Sequence, residues 1–259
     1  MNILKSVAIA FSMYSRIPMP LFEWKKENMK YSICFFPFVG LVIALIMSGA
    51  YFLFDAFFES IPYVARTLFI LVVPIIISGG IHLDGYMDTC DALSSFRDRE
   101  KRLEILSDPH IGAFAVIRLL VYGCLFFAAA LCIISYGLKP GVFFSWTLIF
   151  FFSRILSGIA VVSFKCAKSE GTLYTFANGA EKTKCRIALV IEGVICVFLM
   201  IYFGKTAGLF ESLISFIAFI YYYHMSGKKF GGITGDLAGF FVCICELCAG
   251  IGFVVYMTV

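Results

Sequence analysis

The chain has 259 residues, of which 61% are hydrophobic, 17% aromatic and 15% charged, and its mean hydropathy is +0.94. Soluble domains carry roughly 45–50% apolar and about 25% charged residues. A water-soluble protein of this length has too little interior to bury the surplus, so the composition excludes a soluble globular fold and indicates lipid as the solvent. The formal charge of +4 is too small to indicate nucleic-acid binding.

The apolar runs predict an all-α, polytopic membrane bundle that occupies residues 1–259 as one domain. Residues 2–17 are apolar but contain Lys5 and Arg16, so they predict an interfacial or partly inserted helix, and they lack the features of a cleaved signal peptide. A transmembrane helix needs about 20 apolar residues. About seven runs are candidates: 33–54, 61–80, 112–135, 141–163, 187–203, 209–224 and 237–258. The sixth is short, and an extension into its flanks is open.

Basic residues alternate between the connecting segments. Three lie in one set of connections, at Arg66, Lys139 and Lys205, and fourteen lie in the other set: Lys25, Lys26, Lys30, Arg97, Arg99, Lys101, Arg102, Lys165, Lys168, Lys182, Lys184, Arg186, Lys228 and Lys229. Basic loops remain on the cytoplasmic side of a membrane. The pattern therefore predicts a multi-pass protein of the inner (cytoplasmic) membrane, with the rich set in the cytoplasm and the C-terminus outside.

The ten cysteines are interpreted as packing residues. Most lie in apolar runs, where cysteine behaves as a small buried hydrophobe. Cys245 and Cys248 have the spacing of a metal-binding pair, but no second cysteine or histidine pair has a comparable spacing. Helix packing is therefore favoured over a thiolate metal site.

An acidic stretch, HLDGYMDTCD over His82–Asp91, begins where the second apolar run ends. Asp84, Asp88 and Asp91 are spaced i, i+4 and i+7, which places them on one narrow stripe of a helix. Like charges at this spacing repel one another, and a divalent cation would relieve the repulsion. Mg²⁺ prefers oxygen ligands and is usually held by one or two carboxylates plus substrate phosphates. We favour a Mg²⁺ site over an ordinary acidic loop.

Neighbours of the aspartates extend this hypothesis. His82 falls on another side of the helix, where three roles are open: a phosphate contact, a proton relay or a structural hydrogen bond. Gly85 costs roughly 1 kcal/mol inside a helix relative to alanine, which predicts the close approach of a substrate or of another helix. If the helix continues, Ser95, Asp98 and Arg102 join the stripe.

A second motif, GGITGD over residues 231–236, immediately precedes the last apolar run. Glycines let backbone amides approach phosphate oxygens, and a helix N-terminus favours anions. Asp236 is expected to cap the last helix or to supply a further metal ligand, and Lys228 and Lys229 add positive charge upstream. The charge pattern places this motif on the same side as the acidic stretch.

Charged residues inside apolar runs are costly and generally pair with acids or phosphates. Arg154 and Arg118 are of this kind, and each either extends its side chain to the membrane surface or takes part in the active site. Glu192 and Glu246 are acids in similar positions. Asp108 lies in a turn close to the predicted site.

The acidic stretch resembles the signature of the adenosylcobinamide-GDP ribazoletransferases, also called cobalamin synthases. Further segments are similar to that family in the same order: Phe11–Pro20, Phe35–Gly40, Arg102–Gly112 with Asp108, Ser153–Arg154 and the GGITGD motif. The resemblance implies a Mg²⁺-dependent membrane enzyme. It joins adenosylcobinamide-GDP to α-ribazole or its 5′-phosphate, releases GMP and completes the nucleotide loop of vitamin B12.

The resemblance and the spacing together assign the candidate site. The predicted metal ligands are Asp84, Asp88, Asp91 and Asp236, and the predicted catalytic residues are these four and His82. Asp91 or Asp236 is expected to accept the proton of the ribazole hydroxyl. The predicted substrate contacts are Gly85, Arg102, Asp108, Arg154, Lys228, Gly231, Gly232, Thr234 and Gly235. The expected partners are the two substrates and the bilayer, and a homo-oligomer or an association with other cobalamin-assembly enzymes stays open.

Two other classes of protein are alternatives. CDP-alcohol phosphotransferases also hold metal with aspartates on membrane helices, but their DGxxAR continuation is absent, because Tyr86, Met87, Asp88 and Thr89 follow Gly85. A divalent-cation transporter usually places its polar site near the bilayer midplane, often between inverted repeats. Here the acids cluster at one interface and no repeat is apparent, which disfavours transport.

Overall fold

The computed structural model describes residues 2–258, and within that range the regular elements are thirteen helices without a β-strand. The helices are α1 Asn2–Tyr14, α2 Lys26–Met29, α3 Ser32–Phe57, α4 Tyr63–Ser78, α5 Ile81–Ser94, α6 Arg99–Ile105, α7 Ala113–Ser135, α8 Pro140–Thr147, α9 Ile149–Ser163, α10 Thr172–Gly179, α11 Lys182–Gly204, α12 Thr206–Phe230 and α13 Gly235–Thr258.

Six helical segments in the described range are long and apolar enough to cross a membrane: α3, α7, α8 with α9, α11, α12 and α13. Helices α4 and α5 make a seventh crossing if they are counted together, although they meet at an angle of 89°. The predicted all-α polytopic membrane fold is therefore confirmed. The short sixth run extends into its flanks as α12, Thr206–Phe230.

The sharp bend between α4 and α5 depends on two glycines. Gly79 and Gly80 have φ values of 65° and 80°, a left-handed conformation that glycine adopts without steric cost. The Arg16 amide donates a hydrogen bond of 2.7 Å to the Ile77 carbonyl, and the Arg16 side chain packs where a Gly79 side chain would lie. The segment after α1 thus covers the bend, and α5 leaves the direction of the preceding span.

Helix α5 packs closely on α13 through glycines on both helices. A Cβ atom at Gly85 would lie 2.7 Å from the Asp236 carbonyl oxygen, and one at Gly239 would lie 3.0 Å from the His82 carbonyl oxygen. Beside this contact, the rings of Tyr86 and Phe240 stack with centroids 5.7 Å apart. Of the two close approaches predicted at Gly85, the structure shows the one by another helix.

The acidic helix ends before the residues that were predicted to extend the aspartate stripe. Helix α5 stops at Ser94, and Phe96 adopts a φ of 53°, which interrupts the helical path. Asp98 instead begins α6, where its side chain accepts a 2.9 Å hydrogen bond from the Lys101 amide. The prediction that Ser95, Asp98 and Arg102 continue the aspartate stripe was therefore wrong.

The segments rich in basic residues meet at one end of the bundle, which we call the basic end (residues 18–31, 79–112, 164–181 and 226–236). Cys166 and Ile233 form a parallel β-bridge, with hydrogen bonds of 2.9 Å from the Ala167 amide to Ile233 and 2.8 Å from the Ile233 amide to Lys165. A side chain at Gly232 would overlap the Lys165 carbonyl, so this junction requires glycine. The Glu181 amide likewise donates to the Lys30 carbonyl over 3.0 Å.

The contact between α5 and α13 can be tested by replacing Gly85 with alanine. The added methyl group meets backbone rather than a mobile side chain, and such overpacking costs about 1–3 kcal/mol. Gly49→Ala is the matched control, because nothing lies within 4 Å of its new Cβ and alanine favours a helix by roughly 1 kcal/mol. Thermal unfolding in detergent should show a lower Tm for Gly85→Ala and an unchanged or higher Tm for Gly49→Ala; equal values would contradict the contact.

Candidate active site

A cavity of about 300 Å³ opens at the basic end, between α5, α9, α13 and the segment that precedes α10. Asp84 projects into it from α5 and Asp236 from the first turn of α13, so the two predicted motifs meet on one cavity. Several other polar residues line the same space: His82, Lys168, Glu170, Thr172 and Thr234. The predicted convergence of the acidic stretch and the GGITGD motif is therefore found in the structure.

The four predicted aspartates form one electrostatic group. The negative charges of Asp84, Asp91 and Asp236 act on the Asp88 carboxylate, and the charge of Asp84 also acts on Asp236. None of the ion pairs found in residues 2–258 involves these carboxylates. The group is therefore an excess of negative charge that no basic side chain of the described chain neutralises through an ion pair.

The arrangement of these acids is compatible with a cation held jointly by protein and substrate. In the described part of the chain, no three His, Cys, Asp or Glu side chains are arranged as a ready-made metal site. Mg²⁺ does not require such a site, since one or two carboxylates plus substrate phosphates usually bind it. Asp84 and Asp236 supply two carboxylates on one cavity, which fits that mode of binding.

Asp91 has a different environment from Asp84 and Asp236. Its carboxylate lies against Gly112, the residue that caps the N-terminus of α7, and a side chain at Gly112 would overlap it. A helix N-terminus carries partial positive charge and favours an anion. Asp91 thus lies where the end of α5 meets the start of α7, a contact that the stripe pattern did not predict.

The GGITGD motif ends α12 and begins α13. The Gly231 and Gly232 amides donate to the Gly227 and Ser226 carbonyls over 3.1 and 3.2 Å, so they close the C-terminus of α12 and are not free for a phosphate. Thr234 Oγ1 accepts a 3.2 Å hydrogen bond from the Leu237 amide. Thr234, rather than Asp236, therefore caps α13.

Gly235 of this motif and Lys228 upstream of it, both predicted substrate contacts, lie in different places. Gly235 lines the cavity beside Asp84 and Asp236, as does Thr234. Lys228 is exposed and lines a separate groove of about 430 Å³, together with Lys165 and the Gly231–Ile233 segment. The structure therefore places Lys228 apart from the aspartates with which it was grouped.

His82 is buried and belongs to the walls of two cavities. One is the cavity of Asp84, and the other is an apolar cavity of about 280 Å³ between α4, α5, α7 and α13. The His82 ring packs edge-on against Phe36 with centroids 5.9 Å apart, and Nε2 has no hydrogen-bond partner among the described residues. The structural hydrogen bond considered for His82 is therefore not made by Nε2 with that part of the protein.

Arg154 lies inside the bundle, with only 1% of its surface exposed. Its Nη1 donates to Glu246 Oε1 over 2.7 Å and to the Phe150 carbonyl over 2.8 Å, and Ser153 Oγ donates to the same carboxylate over 3.0 Å. The alternative that Arg154 extends to the membrane surface was wrong, because Glu246 neutralises it in place. Arg154 lines the apolar cavity and not that of Asp84.

The remaining predicted contacts lie at the rim of the basic end. Asp108 is exposed, and its Oδ1 accepts hydrogen bonds from the His110 amide over 3.0 Å and from the His110 ring over 2.6 Å. These bonds, the amide first, lower the pKa of Asp108 below its ordinary value. Arg102 lies on α6, half-buried, and its Nε lacks a partner in the described chain. Neither residue lines the cavity of Asp84.

The sequence patterns missed the segment that completes the cavity. Lys168 and Glu170, in the connection between α9 and α10, line it together with Thr172, the first residue of α10. The pattern of basic residues indicates Lys168 only as part of a cytoplasmic connection. Its position near Asp84 and Asp236 depends on the β-bridge between Cys166 and Ile233, and no local sequence pattern predicts that bridge.

The fold and site define a polytopic helical membrane protein with an acidic cavity at the basic end. A family model described as cobalamin-5-phosphate synthase matches residues 6–254. The chain belongs to that family and is an enzyme of cobalamin biosynthesis, as the resemblance of its motifs had implied.

Curated relatives cover nearly the whole chain, and those described here are named adenosylcobinamide-GDP ribazoletransferase. The relative from Lachnoclostridium phytofermentans is 44% identical, over 98% of this chain and 95% of its own length. One from Clostridium botulinum is 31% identical over 95% of each chain, and one from Clostridium perfringens is 32% identical over 93% and 94%. No solved structure matches the chain.

Replacing Glu246 with glutamine tests the ion pair with Arg154. Removal of one partner leaves a buried charge uncompensated, which typically costs about 3–5 kcal/mol. We expect a strongly lowered Tm in detergent, whereas the control Glu59→Gln, an exposed position in the connection before α4, should keep the wild-type value. A wild-type Tm for Glu246→Gln would show that Arg154 does not depend on this carboxylate.

Proposed function

We propose that the protein transfers the cobinamide phosphate of adenosylcobinamide-GDP to α-ribazole or its 5′-phosphate, with release of GMP, in the cavity of Asp84 and Asp236. The observation that carries the proposal is the convergence of carboxylates from α5 and α13 on one cavity without an ion-pair partner in the described chain. Family membership and the names of the relatives support the reaction and its substrates.

In this proposal Asp84, Asp88 and Asp236 hold Mg²⁺ together with the diphosphate of the donor, and Asp91 adds negative charge at the far end of the stripe. Bound Mg²⁺ neutralises charge that develops on the phosphate leaving as GMP. The fit rests on the donor set: carboxylate oxygens are the ligands that this ion prefers. The close contact at Gly85 is what brings Asp236 beside the α5 carboxylates.

The protein's own contribution is orientation and proton transfer. The acceptor hydroxyl attacks the phosphorus linked to cobinamide, the bond to the GMP oxygen breaks, and the hydroxyl proton passes to a carboxylate. Asp236 is the better placed of the two proposed bases, because it lines the cavity while Asp91 packs against Gly112. Transfer from a diphosphate depends mainly on positioning and electrostatics, which is what a rigid cavity between packed helices provides.

The same proposal includes an orientation in the inner membrane. The basic end carries the larger share of the Lys and Arg residues, and such loops remain cytoplasmic. The cavity then faces the cytoplasm, where a nucleotide-linked donor is available. The opposite end, with the connections at 58–62, 136–139 and Lys205, faces outward together with the C-terminus.

Single Asp→Asn replacements test the metal ligands. Asp84→Asn, Asp88→Asn and Asp236→Asn should each lower kcat by about 100-fold or more, because loss of a charge-stabilising contact to the reacting group costs roughly 2.7–4 kcal/mol. The measurement is Mg²⁺-dependent release of GMP by purified enzyme in detergent. Asp55→Asn, exposed near the opposite end of α3, is the control that should stay near wild type.

Two results would contradict the metal proposal. One is near-normal turnover by the Asp84 and Asp88 variants at saturating Mg²⁺. The other is full GMP release by wild-type enzyme in excess EDTA. A shifted Mg²⁺ dependence in an Asp variant, with activity partly restored at high Mg²⁺, would support it.

The orientation is tested with reporter fusions. A reporter that fluoresces only in the cytoplasm should be active when inserted at residue 181, and alkaline phosphatase, which is active only outside, should be active at residue 138. Each reporter should be inactive in the other position. The reverse pattern would overturn the assigned orientation without touching the metal proposal.

A further inference from the structure

The segment that carries Lys168 lies beside the cavity and is joined to other parts of the basic end. The β-bridge between Cys166 and Ile233 fixes it two residues upstream, and the Thr172–Gly179 helix begins four residues downstream. The Lys168 ammonium donates a 2.5 Å hydrogen bond to Ser107 Oγ, which joins it to the segment between α6 and α7. The β-bridge therefore positions the backbone beside Lys168, and Ser107 contacts its ammonium.

The charge of Lys168 is unpaired in its surroundings. Lys168 is the single Lys or Arg among the described residues that line the cavity. Its positive charge acts on the Asp236 carboxylate. No Asp or Glu oxygen of the described chain forms an ion pair with the Lys168 ammonium, that is, lies within 4 Å of it. An ammonium has three donors, and Ser107 takes one of them, so two remain for a ligand.

A cavity whose other charged groups are acids is a poor receptor for a diphosphate unless it also offers a cation. A lysine ammonium is a compact positive charge that binds phosphate oxygens through charge-assisted hydrogen bonds. Building on the function proposed above, we propose that Lys168 binds the diphosphate of the donor, opposite the carboxylates, and so fixes the donor for attack. In this role Lys168 replaces Lys228, which lies in a separate groove.

Steady-state kinetics with both substrates varied test the assignment. A charge-assisted hydrogen bond contributes about 1.5–3 kcal/mol, so Lys168→Ala should lower kcat/KM for adenosylcobinamide-GDP by about 10- to 100-fold. The KM for α-ribazole should stay within about twofold. Lys168→Arg, which keeps the charge, should recover most of the loss. The inhibition constant of inorganic pyrophosphate, a probe with neither organic group, should rise by a similar factor in Lys168→Ala.

The matched control is Lys184→Ala, an exposed lysine in the first turn of α11 that does not line the cavity. It removes the same charge from the same end of the bundle and should leave all these constants unchanged. The Tm of each variant in detergent shows whether it is folded. A structural role for Lys168 would lower the Tm and would affect both substrates alike, without rescue by arginine.

The outcomes separate this proposal from that of the metal site. A wild-type donor KM and pyrophosphate inhibition constant in Lys168→Ala would overturn the role of the lysine, and inactive Asp84→Asn would still support the metal site. Conversely, active Asp84→Asn would overturn the metal site, while a donor-specific defect in Lys168→Ala would still support the lysine. An equal effect of Lys168→Ala and Lys184→Ala would also overturn the proposal, because it would reduce Lys168 to a general surface charge.

Discussion

The backbone contact between α5 and α13 is the constraint on which the site depends. Packed helices usually lie 8–10 Å apart, with the distance set by the side chains between them. Glycines at positions 85 and 239 remove those side chains, so that Asp236 comes against the helix that carries Asp84 and Asp88. Without this approach the two acidic motifs would share an end of the bundle but not a cavity. Glycine destabilises the interior of both helices, and the close approach that it allows brings the carboxylates together.

Concentrating negative charge in one place opposes folding, and the structure offsets the repulsion with contacts around the acids. The left-handed glycines 79 and 80 turn α5 away from α4, and Arg16 packs over that turn. Asp91 gains the N-terminus of α7, where an anion is favoured. The β-bridge between Cys166 and Ile233 then brings Lys168 to the same cavity. Each contact joins a segment of the basic end to the elements that carry the acids.

The sequence predicted those features that follow from the helical repeat of neighbouring residues or from the apolar composition that a membrane requires. Apolar runs gave the spans, and the spacing of Asp84, Asp88 and Asp91 gave the stripe on α5. Contacts between distant segments could not be read in this way. Helix α5 stops at Ser94, the Gly231 and Gly232 amides close α12, and the lysine at the cavity comes from another loop. These features depend on which groups tertiary packing places opposite one another, and a single sequence does not encode that in its spacing.

Helix α13 carries two acids, Glu246 and Asp236, and their surroundings differ. Glu246 lies deep in the bundle, where a lone charge is expensive, and Arg154 and Ser153 satisfy its carboxylate. Asp236, at the start of the same helix, faces a cavity, accepts a 3.4 Å hydrogen bond from Thr234 Oγ1 and has no ion-pair partner in the described chain. Because the protein neutralises the first acid fully, the charge left on the second cannot be ascribed to a lack of basic residues. In the function proposed above, this charge is what a cation, or a ligand that brings one, would complement.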